Sequence, residues 1–253
     1  MQPLTIASIV FACVFASALL GMLLRRVVPE HHVNQDSKDV VKLAMGLLAT
    51  MAALVLGLLT ASAKSSFDTL DSEVQQSAAH LVMLDRTLAQ YGPETKETRN
   101  QIRQAVAHRI ELTWPEDSSR PTRVDAPEMT PAIEGLQSRI RALAPQNDAQ
   151  RELQSKALSL VGDLTATRWL VFTQAGSSVP MTFLFVLVLW LAVLFISFGL
   201  LAPRNATVIV ALLLCALSVA GSIFLILEMS HPLEGFIKIS DVPLRYALAH
   251  MGQ

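Results

Sequence analysis

Two cysteines in 253 residues, Cys13 and Cys215, are too few for a zinc-type cluster, and both lie in long apolar runs. There a thiol is a small packing group that reports nothing about redox compartment. The chain has no glycine-rich phosphate loop and no nucleophile elbow, and its net charge of −1 with a pI near 6.6 offers nucleic acid nothing to hold. No nucleophile, base and orienting group converge in any stretch, which argues against an enzyme. Neither a cofactor nor a resident metal is expected, and no internal repeat or low-complexity tract is evident.

What the chain has in excess is apolar sequence, with 52% hydrophobic residues and a mean hydropathy of +0.44, concentrated in blocks. Four runs without a charged residue, roughly 4–24, 43–63, 180–201 and 206–227, reach the length of about 20 residues that crosses a hydrocarbon core. The first resembles a signal peptide around Ala16-Ser17-Ala18, but no basic residue precedes it and it stays apolar as far as Arg25-Arg26, so it reads as a retained helix. The chain is therefore a multi-pass membrane protein in contact with lipid.

Between the second and third runs lie residues 64–179, too many for a simple loop and polar enough for a water-exposed domain. Phe67, Leu70, Val74, Ala78, Leu81, Leu84 and Leu88 recur every three or four residues with no breaker before Gly92-Pro93. The second membrane helix thus continues into the domain, roughly 80 Å from Ser37 to Tyr91 at 1.5 Å per residue. Ile102, Val106 and Ile110 mark another helix, Ile133, Leu136, Ile140 and Leu143 a third, and the stretch from Asp148 through Leu153, Leu160, Leu164 and Val171 a fourth. The expected architecture is all-α: a transmembrane hairpin over 1–63, a helical bundle over 64–179, a second hairpin over 180–227, and a segment over 228–253 too short to span, which lies at the interface or docks onto the bundle. The bundle carries 13 Lys/Arg against 15 Asp/Glu, interspersed, which reads as a solvated surface.

The second run, KLAMGLLATMAALVLGLLTASAK from Lys42 to Lys64, holds the most pointed pattern. At about 100° per residue, Gly46, Ala49, Ala53, Gly57 and Thr60 fall within about 60° of Lys42, and Lys64 returns to about 40°. The bulky Leu43, Leu47, Leu48, Met51, Leu54, Val55, Leu58 and Leu59 fall elsewhere. A small face bounded by two lysines either packs closely against another helix or borders a pore whose lysine mouths favour anions. Thr207, Ala211, Cys215, Ser218 and Ser222 make a second small stripe, read as helix packing.

Other polar groupings are weaker. Glu228 and His231, three apart, have a spacing that relays protons or binds metal on a helix, but Pro232 follows at once and favours a helix end. Glu30-His31-His32 with Asp36 and Asp39 imitates a metal cluster, whereas Asp36 or Ser37 as a cap and Asp39 in the first turn account for the acids.

Three stretches carry a resemblance: residues 29–68, LDRTLAQYGPE over 84–94, and LEMSHPLEGFIKISDVPLRYAL over 227–248. Together they resemble the bacterial bestrophin-like membrane proteins, classified as a domain of unknown function. Bestrophins proper are pentameric anion channels whose second membrane helix lines the pore and whose long middle section is cytosolic. The resemblance implies a homo-oligomer that conducts small inorganic ions across the bacterial inner membrane, with both termini inside. The competing reading is a non-conducting sensory or scaffold protein whose helical domain binds a partner or signal.

For orientation, Arg25, Arg26, Lys38 and Lys42 follow the first span and Arg204 sits in the next short turn. The positive-inside rule puts both in the cytoplasm and the domain outside, opposite to what the resemblance implies. On the charge reading, Ser118→Cys reacts with an impermeant thiol reagent added to intact cells. Labelling only after permeabilisation would establish the cytosolic domain instead.

Overall fold

The computed structural model describes residues 2–25, 35–115, 129–175, 181–203, 205–233 and 235–252. Among them all regular structure is helical: α1 (Pro3–Leu24), α2 (Gln35–Tyr91), α3 (Lys96–Thr113), α4 (Met129–Arg141), α5 (Asp148–Ala175), α6 (Met181–Leu201), α7 (Ala206–Met229) and α8 (Val242–His250), with a 3-10 turn at Pro93–Thr95. Helices α1, α2, α6 and α7 are long and apolar enough to cross a membrane. The chain divides into two compact units, Met1–Ser66 with Ser178–His231, and Phe67–Ser177 with Pro232–Gln253.

In the first unit α1 packs along α6 and, less extensively, α7. Val10, Val14, Ala18 and Met22 of α1 meet Leu184, Leu187, Leu191, Leu194 and Phe195 of α6 and Leu212, Ala216, Ile223 and Leu227 of α7. In lipid there is no hydrophobic gain from such contacts, so close van der Waals approach decides which faces meet. Here the approach is set by two glycines. A Cβ on Gly21 would run into the carbonyl oxygen of Ile196, and one on Gly199 into the carbonyl oxygen of Ala18; each helix backbone occupies the notch the other leaves. At the end of α6, Arg25 donates to the Ala202 carbonyl, placing a cation where unpaired carbonyls collect. The Asn205 side chain then accepts from Val208 N at 3.0 Å and caps α7.

The second unit buries one stripe from each of five helices: Ala78, Leu84 and Leu88 of α2, Ile102, Val106 and Ile110 of α3, Ile140 of α4, Ala157, Leu160 and Val161 of α5, and Leu244 and Ala247 of α8. The periodicity of 3 and 4 accounts for the first four. The fifth, α8, belongs to the C-terminal segment, which docks within this unit. Trp114 Nε1 holds the segment by donating to Ile239 O at 2.9 Å. Helix α2 stops at Gly92, whose φ of 146° no side-chain-bearing residue adopts comfortably. Gln150 Nε2 takes up the Tyr91 carbonyl left over, at 2.9 Å.

One ion pair fastens three of these elements. Asp85 of α2, 1% exposed, receives Arg99 Nε and Nη2 of α3, each at 2.8 Å, and the backbone N–H of Gly252 at 3.0 Å. It lies some 20 residues beyond the apolar stretch at 43–63 in the sequence. Burial works to raise its carboxyl. The hydrogen bonds from Arg99 and Gly252 and the charges of Arg99 and Arg86 outweigh that and hold it below the usual carboxylate range.

Two expectations follow from these contacts. Gly21→Val and Gly199→Val should each destabilise the detergent-purified protein by about 1–3 kcal/mol or more, the cost of forcing atoms into a filled contact. Gly162→Ala, whose added Cβ meets nothing within 4 Å, should not lower the melting temperature; equal melting of all three would remove the α1–α6 contact as described. Because the native Asp85 pKa is depressed, its contribution is complete above the unfolded value of about 3.9 and fades as pH falls through the native one. Arg99→Leu leaves a buried carboxylate uncompensated and should cost about 3–5 kcal/mol at neutral pH. With burial then dominant, that variant should gain stability on acidification from pH 7 to 5 while the parent does not; parallel pH profiles would contradict the assignment.

Candidate functional site: the three faces of the second helix

Within the membrane stretch of α2, side-chain size and burial divide the helix into three sectors. Ala52 and Ala63 are buried and Met45, Leu48, Val55, Leu56 and Leu59 half-buried; except for Ala63 these pack on the core of the first unit. They centre near −85° on the wheel that puts Lys42 at zero, at about 100° per residue. A second sector, near 140°, presents Leu43, Leu47, Met51, Leu54 and Leu58, all exposed, with Leu54 at 66%. The small sector lies between them.

Its members divide as follows. Gly46, Ala53, Gly57 and Thr60 are exposed and Ala49 is half-buried at the edge of the packed sector. A Cβ on Gly46 or Gly57 would meet nothing within 4 Å. Gly46, Ala53, Gly57 and Thr60 therefore do not serve packing within the chain, whereas Ala49 packs against the core of the first unit; the close backbone approach there falls to Gly21 and Gly199. The Thr60 hydroxyl donates to Leu56 O at 2.8 Å and that of Thr50 to Leu47 O at 2.7 Å, as is usual for hydroxyls on membrane helices.

Lys42 and Lys64 are both exposed. Lys42 Nζ lies 3.0 Å from Asp39 Oδ1, so that end carries a pair of opposite charges and not a bare cation. The i, i+3 spacing of Asp39 and Lys42 was legible in the sequence, where Asp39 had been assigned to the helix start alone.

On α7 the small stripe also faces outward. Thr207, Ala211, Cys215 and Ser218 are exposed and Ser222 half-buried, while Leu212, Ala216, Ala220 and Ile223 are buried. Within the chain the opposite face of α7 does the packing, and the Ser218 and Ser222 hydroxyls donate back to Leu214 O and Ser218 O.

Glu228 is 2% exposed at the end of α7. The His231 amide donates to Glu228 O, and its Nδ1 donates to Leu227 O at 3.0 Å, since a carbonyl can only accept. That bond adds a partner to a carbonyl in the last turn of α7 and leaves Nε2 as the nitrogen open to other chemistry. Among the described residues no group of three or more His, Cys, Asp and Glu is placed to hold a metal. Glu30, His31 and His32 lie outside the described residues.

No curated relative matches the chain. Two solved structures match, both crystal structures of a bacterial bestrophin homologue from Klebsiella pneumoniae, one with a leucine-to-threonine and one with an isoleucine-to-threonine mutation. The first aligns at a TM-score of 0.65 and 13% identity over 95% of this chain and 99% of its own; the second at 0.64 and 13% over 97% and 98%. At that identity they share the fold. The family model described as a bestrophin-like domain matches residues 11–244. With nearly the whole chain matched, and with four helices able to span a membrane, the protein belongs to the bestrophin-like family.

Proposed function

We propose that the protein is an oligomeric ion channel of the bacterial inner membrane, with the small sector of α2 bordering the path, residues 64–179 in water, and anions favoured over cations. The observation that carries this reading is the division of α2 into three faces. One face packs at home and one is bulky enough for lipid or a neighbouring copy. The third, Gly46, Ala53, Gly57 and Thr60, is exposed but too small to profit from lipid contact. A lining of Gly, Ala and Thr offers little hydration and forms a narrow, weakly wetted constriction, where end charges exert most control. Membership of the bestrophin-like family supports conduction over a merely anchoring role, and over catalysis.

The test is accessibility combined with flux. Ala53→Cys and Gly57→Cys should be modified by small water-soluble thiol reagents, with loss of flux in liposomes, whereas Leu54→Cys and Leu58→Cys should stay protected. Lys42→Glu or Lys64→Glu should lower the anion-to-cation permeability ratio, and Asp39→Asn, which frees Lys42 from its pair, should raise it. Absence of flux over a range of voltage, pH and divalent concentration, with Ala53→Cys and Gly57→Cys inaccessible as well, would leave the scaffold reading.

A further inference from the structure

The second unit contains a cavity of about 210 Å³ lined by Ala89, Gly92, Pro93, Lys96, Arg99, Asn100, Arg103 and Gly252. At about 30 Å³ per water it has room for roughly seven waters. Three of its lining residues are cationic and stand at i, i+3 and i+7 on one face of α3, where like charges repel. Arg99 is compensated: Asp85 takes its Nε and Nη2, which fixes the guanidinium plane and leaves Nη1 for another acceptor. Lys96 and Arg103 are exposed, and neither makes an ion pair among the described residues. The Arg103 head group lies beside Gly252, where an added Cβ would sit 3.5 Å from its Nη1. At the rim Glu94 folds its carboxylate back over Gly92, one of the lining residues. With Asp85 spent on Arg99 and Glu94 at the edge, the cavity retains a positive excess.

We propose that this cavity is a binding site for a phosphoryl-bearing anion. A carboxylate satisfies one guanidinium. A phosphoryl group, with three acceptor oxygens and up to two charges, matches three cations that line one cavity, two of them arginines whose planar fork suits phosphate. One arginine is already immobilised by a buried carboxylate, so little side-chain freedom is left to lose there on binding. The site lies in the bundle and does not depend on whether the chain conducts.

The probe is inorganic pyrophosphate, titrated calorimetrically into the full-length protein in phosphatidylcholine nanodiscs. Saturable binding is expected that weakens with added salt and falls about tenfold in each of Lys96→Gln and Arg103→Gln, the loss of one charge-assisted contact. Both side chains are exposed. Glu94→Gln removes the rim charge and should tighten binding a few-fold, a change that misfolding cannot produce. Repeating the titration in nanodiscs that also contain a phosphoinositide separates the two sources of such a group: unchanged affinity points to a soluble phosphate, weakened affinity to a lipid headgroup already in place. No saturable binding by the parent protein, or one affinity shared by the parent and all three variants, would overturn the proposal.

Discussion

A peptide group in hydrocarbon has no water to bond, so every carbonyl and amide of a spanning segment must find its partner within the protein. Helices α1, α2, α6 and α7 meet that condition along their lengths, and the ends show what it demands where the ladder stops: Arg25 on the Ala202 carbonyl, Asn205 on the first turn of α7, His231 on the Leu227 carbonyl. Once the backbone is satisfied this way, side chains are released from hydrogen-bonding duty. Size alone then sorts helix faces. Glycine at 21 and 199 permits backbone contact, and leucines elsewhere prevent it.

The same sorting explains how much of the fold could be read from the sequence. Runs expected at 4–24, 180–201 and 206–227 match α1, α6 and α7 to within two residues at each end, because uninterrupted apolar composition leaves little alternative. The long α2 and the stripes of α3, α4 and α5 were equally legible, since each repeats an apolar residue at helical spacing between clear breakers. Helix α8 was not. Nine residues mixing Arg245 and Tyr246 with Leu244 and Ala247 have too few turns to establish a period, and only docking on α3 makes their apolar side evident.

Long-range polar structure was hidden for a different reason. Asp85 and Gly252 are 167 positions apart, and nothing in either neighbourhood announces the other. The cations around the cavity were counted in the sequence as part of a balanced surface, yet their placement on one face of α3 breaks that balance locally. Stripes on α2 and α7 attract attention because they repeat, while the contact that brings two helix backbones together uses one isolated glycine from each.

The bond from the Thr60 hydroxyl to the Leu56 carbonyl bears on what a path along α2 would present to an ion. A hydroxyl has a single proton, and here it points backwards into the helix. What remains facing outward is a pair of oxygen lone pairs, a surface that accepts hydrogen bonds and offers none. For Thr60 to greet chloride with its proton, its rotor must first let go of the carbonyl, leaving that oxygen with only its helical partner. Permeant-ion sign on such a path is thus written partly in a torsion angle, and the small face of α2 is not chemically neutral even though it carries no charge.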